Sequence, residues 1–402
     1  MLSEADHDWM ERALALAANG LWTTTPNPRV GCVVVAPDGG ALQIGAGSTP
    51  NAPQGDSGGR LLGEGWHLRA GEPHAEVIAL RQAGAAARGA TVYVTLEPCA
   101  HEGRTPPCAP ALIAAGVKRV VVAMEDPNPL VAGRGLAQLR AAGIEVRCGV
   151  LEREARELNL GFCARMTRGR PWVRLKLAAS LDGATALPDG RSQWITSAAA
   201  RADGHAWRAR ACAILTGIGT VRADDPRLTI RDWTLPATVP GSLRQPLRIV
   251  IDSRLEIDPQ ATLVRAGGLL LVHALEPQWL QDGALAEKAR LLQDHGVELC
   301  AISRAPNGKV DLRALMDALA QRGLNEVHVE AGAALNASLV SAGVVDELLV
   351  YLAPSLLGEA RAMFKMAAPP SLDDRLALQF HAVDRVGEDL RILARFRQQS
   401  VG

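Results

Sequence analysis

The chain has 402 residues, 48% hydrophobic and 21% charged, with 43 Lys and Arg balanced by 43 Asp and Glu. That length exceeds one ordinary core and predicts two domains, while a net charge of zero without a basic block argues against a large nucleic-acid footprint. Seven unevenly spaced cysteines form no disulfide framework and suit a reducing, cytoplasmic setting. No apolar run reaches the roughly 18 residues that a membrane span needs, and the acidic, amphipathic start does not read as a signal peptide.

In chain order, residues 6–19 read as a helix carrying Trp9, Leu14 and Leu16, with Gly20 just after it. Pro26 and Pro28 fix the backbone of Asn27 in a turn that feeds a strand over 30–36. Asn27 is either an amide presented to a base edge or an ordinary turn residue. Residues 37–60, rich in Gly, Pro, Ser and Ala, read as a long hairpin insertion. A strand over 61–66 precedes His67, which is either a substrate contact or a surface-loop histidine.

The next stretch carries the chemistry. His74-Ala75-Glu76 opens a helix behind Pro73, and a strand over 91–96 runs into Glu97-Pro98-Cys99, with Cys108 further on. One imidazole and two thiolates are the ligand set of a catalytic zinc with an open fourth position. Such a zinc makes bound water acidic, and Glu76 stands where a carboxylate can move the protons. Cys99 is placed to start the following helix, which would lower its pKa. The pattern H-x-E…P-C-x-x-C marks zinc nucleobase deaminases, and here eight residues separate the two cysteines instead of two. The intervening loop holds His101 and Arg104, which suit an anionic group.

Helices over 109–115 and 133–142 and strands over 119–124 and 145–150 complete a first α/β domain, 1–150. Asp126-Pro127-Asn128-Pro129 turns at a strand end, where ligands of open α/β sheets gather. Residues 151–170 read as a helical linker to a second α/β domain, 171–402. There the strand 172–177 alternates, with Val173, Leu175 and Leu177 on one face and Arg174 and Lys176 on the other. Ser197 is an N-cap for a helix over 198–210. Further strands are read at 211–216, 247–252, 269–273, 297–302, 326–330 and 347–352, with a helix over 311–321. Gly217-x-Gly219 lacks the third glycine of a dinucleotide fingerprint. The Ala331–Ala334 turn opens a helix directly after a strand, which is either a phosphate cradle or a plain turn.

Several stretches together resemble the bifunctional deaminase/reductase family of riboflavin biosynthesis over nearly the full length. They include Pro26-Asn27-Pro28, Gly71-Glu72-Pro73-His74-Ala75-Glu76, Thr95-Leu96-Glu97-Pro98-Cys99 and Gly103-Arg104-Thr105-Pro106-Pro107-Cys108. Asp126-Pro127-Asn128-Pro129, Lys176-Leu177-Ala178-Ala179-Ser180-Leu181-Asp182-Gly183, Gln193-Trp194-Ile195-Thr196 and Ala223-Asp224-Asp225-Pro226 extend the match. The longer Cys99–Cys108 spacing belongs to that family, whereas the 37–60 segment is usually much shorter, and 232–243 looks variable. The resemblance implies a cytidine-deaminase-like α/β/α domain followed by a dihydrofolate-reductase-like α/β domain. Zinc and NADPH are the implied cofactors, and a phosphorylated pyrimidine is the implied substrate. It implies that Ala178, Trp194, Thr220, Asp224, Ser253 and the turn at Gly332 line the NADPH site. It also implies that Ser192, Arg208, Leu228, Arg231 and Glu330 touch the reductase substrate, with Lys176 either an anchor or an exposed strand lysine. A homo-oligomer is expected. The competing reading is a nucleobase or tRNA deaminase fused to an inactive binding domain.

Overall fold

The computed structural model describes residues 3–36, 59–102, 106–231 and 233–397. The insertion expected at 37–60 and the Arg104 of the inter-cysteine loop therefore lie almost wholly outside the described residues. The chain divides into two compact units, one of Met1–Arg168 with Leu235–Ser242, the other of Gly169–Thr234 with Leu243–Gly402.

In the first unit α1 (Glu4–Ala18) starts on a capping box between Ser3 and Asp6. The buried Asp6 carboxylate also accepts the Tyr93 hydroxyl at 3.0 Å and two Arg119 N–H groups at 2.7 and 3.0 Å. Burial alone would raise its pKa, but these donors and the Ser3 amide hold the carboxyl well below the usual range. Strands β1 (Gly31–Ala36), β2 (Arg60–Trp66), β3 (Thr91–Val94), β4 (Arg119–Val122) and β5 (Glu145–Cys148) form a sheet in the order β2-β1-β3-β4-β5. β1 runs antiparallel to β2 and β3, while β3, β4 and β5 are parallel. Helices α2 (Ala75–Ala83), α3 (Cys108–Ala115) and α4 (Arg134–Ala141) complete the layers. Gly31 lets α1 approach β1, because a Cβ there would stand 1.9 Å from the Ala13 carbonyl oxygen.

Three expectations are corrected. Cys99 does not start a helix: residues 97–100 are irregular, and α3 begins at Cys108 behind the extended Pro107. The segment 151–170 is helical, as expected of the linker, but as far as Arg168 it belongs to the first unit. It forms α5 (Glu152–Leu158) and α6 (Leu160–Arg168), and Ala155 joins the first core with Phe162 and Cys163 packed against it. The second domain is not one continuous run from 171, because Leu235–Ser242 clusters with the first unit. Thr238 donates to the Asn19 side chain at 3.0 Å, and Arg69 donates to the Pro240 carbonyl at 3.0 Å.

The second unit is built on β6 (Trp172–Ser180), β7 (Ala184–Ala186), β8 (Ala213–Gly217), β9 (Leu247–Ile251), β10 (Leu269–His273), β11 (Val297–Ala301), β12 (Glu326–Val329), β13 (Glu347–Ala353), β14 (Arg361–Ala362), β15 (Leu378–Val386) and β16 (Asp389–Phe396). Nine of these form a sheet in the order β11-β10-β9-β8-β12-β6-β13-β16-β15, and β14 pairs with β7. The sheet is parallel except where β16 meets β13 and β15. Its helices are α7 (Ala198–Arg210), α8 (Ile218–Asp224), α9 (Thr262–Arg265), α10 (Gly283–Asp294), α11 (Leu312–Gln321) and α12 (Ala333–Ser341).

The alternation expected in β6 is observed. Val173, Leu175 and Leu177 enter the core, while Arg174 is buried against Glu347 at 2.6 Å and Glu326 at 3.2 Å. Arg395 and Arg210 reach the same two carboxylates, each at 2.9 Å.

Candidate functional site

His74 caps the N-terminus of α2, Cys99 lies just beyond β3, and Cys108 is the first residue of α3. These three elements bring one imidazole nitrogen and two sulfurs within 4.8 Å of one another. The His74 Nδ1 stands 3.3 Å from the Cys108 Sγ and 3.6 Å from the Cys99 Sγ. A tetrahedral zinc with usual bond lengths separates N and S ligands by about 3.5 Å, so this donor set fits the ion. The Cys108 backbone N–H donates to the Cys99 sulfur at 3.3 Å. Contact with the Cys108 thiol, helped by this amide and by His74, pulls the Cys99 thiol down to about 4 and pushes Cys108 up.

Glu76 is the second residue of α2 and is buried beside the triad. Burial pushes its carboxyl up to about 7, the range in which a group both takes and gives a proton near neutrality. Asn27 and His67 meet at 3.0 Å between Nδ2 and Nε2. The His67 Nδ1 lies 3.2 Å from the Pro73 carbonyl oxygen, which only a donor satisfies, so Nε2 accepts from Asn27. Burial lowers the His67 pKa and favours this neutral form. Both ring nitrogens of His67 are thus engaged, and its effect is to orient the Asn27 amide.

Asn27, His74, Glu76 and Cys99 line one cavity of about 440 Å³. Sequence reasoning missed several of its other walls. Glu97 is buried, and its two carboxylate oxygens accept the backbone N–H groups of Asp126, Gly133, Gly135 and Leu136 at 2.8–3.2 Å. Gly135 is needed for this approach, since a Cβ there would stand 1.9 Å from the Pro98 carbonyl oxygen. Asp126, pushed up to about 6 by burial, also faces the cavity, as expected of the turn at that strand end, and so do His67 and His101. Phe162, Arg165 and Met166 of α6 close it. Position next to Pro98-Cys99 was the one available signal for Glu97; nothing in the local pattern marked α6.

The second unit holds a separate cavity of about 520 Å³. It brings together Thr220, Ser253 and the Gly332 turn, three of the six expected cofactor residues. Ala178, Trp194 and Asp224 do not line it; Trp194 is 68% exposed, under the Arg201 guanidinium at 4.3 Å. The buried Asp252 lines the same cavity, and its Oδ1 has no hydrogen-bond partner among the described residues. An unsatisfied buried carboxylate oxygen beside the α12 N-terminus fits a ligand with hydroxyls and phosphates.

Of the expected reductase substrate contacts, Arg208 and Glu330 pair with each other through two hydrogen bonds of 2.5 and 2.7 Å. The Leu228 side chain is buried in the core, and its backbone sits at φ 49°. Ser192 and Arg231 are exposed, and the Arg231 N–H donates to the His205 Nδ1. Lys176 is half-buried with Nζ 5.9 Å from the Tyr351 ring centre, and burial lowers its pKa. It is therefore not the exposed strand lysine that alternation alone allowed.

A metal-type triad with a buried carboxylate on one α/β unit, and a second α/β unit with its own ligand cavity, define a zinc deaminase joined to a reductase. Residues 3–124 match the family model of the cytidine and deoxycytidylate deaminase zinc-binding region, and residues 171–392 match that of the RibD C-terminal domain. The riboflavin biosynthesis protein RibD of Escherichia coli is 46% identical over 391 residues, 96% of this chain and 98% of the relative. That of Haemophilus influenzae is 43% identical over 396 residues, 97% of each. Among solved structures, Acinetobacter baumannii RibD superposes with a TM-score of 0.83 at 42% identity, covering 98% of this chain and 99% of the other. A Thermotoga maritima diaminohydroxyphosphoribosylaminopyrimidine deaminase/5-amino-6-(5-phosphoribosylamino)uracil reductase gives 0.79 at 29% identity, with the same coverage. The chain belongs to the RibD family of bifunctional deaminase/reductases of riboflavin biosynthesis.

Proposed function

We propose that the first unit hydrolyses the amino group from 2,5-diamino-6-(5-phosphoribosylamino)pyrimidin-4(3H)-one. The second unit then reduces the ribosyl chain with NADPH to give 5-amino-6-(5-phosphoribitylamino)uracil. The observation that carries this reading is the clustering of the His74, Cys99 and Cys108 donor atoms at a cavity that His74, Cys99 and Glu76 line.

His74, Cys99 and Cys108 would hold zinc, which supplies the Lewis acidity that brings water to a pKa of roughly 7. Glu76 would take the water proton and pass it to the ring nitrogen, then take the hydroxyl proton of the tetrahedral carbon and give it to the amino group, which leaves as ammonia as the C–N bond breaks and the carbonyl forms. Asn27, held by His67, presents its amide to the pyrimidine edge. In the second unit the acceptor is the open-chain imine of the ribosylamine. A bound NADPH would supply the hydride that reduces this imine to the amine, with a proton added at the nitrogen. Thr220, Ser253 and Gly332 would hold the cofactor, with Ala178, Trp194 and Asp224 as further contacts. Arg208 and Arg231 would face the substrate phosphate, with Ser192, the Leu228 backbone, Glu330 and Lys176 around the sugar.

A cytoplasmic enzyme is proposed because thiolate ligands persist in a reducing compartment. Among the described residues, no helix is long and apolar enough to cross a membrane. A homo-oligomer is supported by β15, an edge strand with Phe380 and Val383 more than half exposed.

The test is incubation with the phosphorylated diaminopyrimidinone, with and without NADPH, reading ammonia and nicotinamide absorbance together. Neither signal from zinc-loaded protein would end the proposal. Zinc analysis should find about one ion per chain. Its removal by chelator should stop ammonia release but leave reduction of pre-deaminated substrate running; equal loss of both would contradict separate sites. Arg208→Ala should raise KM for the reductase substrate by roughly 10- to 100-fold, with a smaller change for NADPH. The reverse ranking would move Arg208 to the cofactor phosphates.

A further inference from the structure

The turn that presents Asn27 is fastened at two points. His67 orients the Asn27 side-chain amide through Nε2 at 3.0 Å. That contact sets the rotation of the amide but not the path of the backbone behind it. The backbone is held two residues further on, at the buried Arg29. Pro28 and Val30, on either side of Arg29, line the deaminase cavity, and β1 begins at Gly31.

The holder is Asn159, which ends α5 just before α6 begins and is 1% exposed. Its Oδ1 accepts the Arg29 N–H at 2.8 Å, and its Nδ2 donates to the Arg29 carbonyl at 3.0 Å. One side-chain amide thus pairs with both backbone groups of one residue, as a neighbouring antiparallel strand would. The same Nδ2 donates to the Ala155 carbonyl of α5 at 3.3 Å. A flipped amide would set N–H against N–H and oxygen against two carbonyls, so a single orientation satisfies the group. The Arg29 guanidinium closes the clamp by donating to the Leu158 carbonyl at 2.6 Å. An asparagine that merely ended α5 would bond within its own helix, yet the two Arg29 bonds reach across 130 positions. Three residues on, Phe162 of α6 lines the same cavity, so Asn159 ties two of its walls together. It lies beyond the 3–124 stretch that matches the deaminase zinc-binding region, so the fastening is added to that region from outside.

We propose that Asn159 is a positioning residue of the deaminase: by clamping the Arg29 backbone it fixes the turn that aims Asn27 at the pyrimidine. The inference rests on the deamination and the Asn27 contact proposed above, and adds the residue that holds that contact in place.

The experiment measures deamination of the phosphorylated diaminopyrimidinone, per bound zinc, by wild type, N27A, N159A and the double variant. Reduction of pre-deaminated substrate is followed alongside and should stay at the wild-type rate. N27A should lower kcat/KM by about 10- to 100-fold through loss of its hydrogen bond to the ring. N159A should approach the same loss, with KM rising more than kcat falls, because a misplacement of about 1 Å is enough. The double variant should be no worse than N27A alone, since Asn159 acts through Asn27. N159D is close in size but turns an oxygen toward the two carbonyls; it should show the same dependence on Asn27, and it carries the test if N159A misfolds. Wild-type kinetics in N159A, or losses that multiply in the double variant, would make Asn159 a structural residue and overturn the inference. Loss of zinc or of folded protein in both Asn159 variants would overturn it too. Wild-type kinetics in N27A would instead remove the proposed Asn27 contact, and this inference with it. If zinc-loaded wild type released no ammonia, the deaminase reading itself would fail.

Discussion

Glu76→Gln should reduce ammonia release by about 10²- to 10⁴-fold while leaving zinc content and the reductase reaction at wild-type levels. The substitution keeps the shape of the side chain at a buried position, so packing beside His74 and the two thiols is preserved. What it removes is the capacity to hold a proton. Deamination needs one carboxylate to deprotonate water, protonate the ring and release ammonia, and an amide performs none of these. The reductase cavity lies in the other unit and includes no residue of α2. Pre-deaminated substrate should therefore be reduced at the wild-type rate. Zinc analysis, an ammonia assay and nicotinamide oxidation on one preparation decide the matter. Wild-type ammonia release by the variant would remove Glu76 from the mechanism, and loss of zinc would show that it supports the ligands rather than the chemistry.

The metal triad was legible because its chemistry demands particular atoms at short spacing. His74 with Glu76, and Cys99 behind Pro98, leave few alternative readings. The parallel strands were legible as continuous apolar runs, as in Val120–Val122 and Leu269–Val272, buried on both faces of their sheets. The C-terminal hairpin of β15 and β16 was not. β15 is an edge strand with a register shift between Phe380 and Ala382 and mostly exposed side chains, so no apolar period survives. Site residues supplied from a distance were equally hidden. Arg165 comes from a helix whose sequence reads as amphipathic connection, and only the fold of α6 onto the first core brings it to the cavity. Arg208 and Glu330 were expected singly, yet local sequence holds no trace that they pair across 122 positions. Leu228 shows the converse, a position matched by motif whose side chain belongs to the core.

Glu97 should prove nearly as important as the zinc ligands, although it touches no reacting atom. Its carboxylate ends the charge-poor walk from β3 to Cys99 by gathering four backbone N–H groups around the α4 N-terminus. One oxygen serves Gly135 and Leu136, the other Asp126 and Gly133. Negative charge at a helix N-terminus is favourable, and at 4% exposure water is a poor substitute. Glu97→Ala leaves four backbone donors, two of them buried, without their acceptor and should destabilise the first unit by about 3–5 kcal/mol. Glu97→Gln can satisfy only one of the two donor pairs, because its NH₂ faces the other, so its loss should be intermediate. Since the same N–H groups fix the Asp126–Asn128 turn in the cavity wall, the surviving folded variant should also show a higher KM for deamination with zinc retained. Amide hydrogen exchange at Asp126, Gly133, Gly135 and Leu136 should accelerate in both variants before exchange elsewhere in the sheet. Unchanged protection at these four amides, with wild-type resistance to urea, would show that the carboxylate is dispensable and that the loop is held by other means.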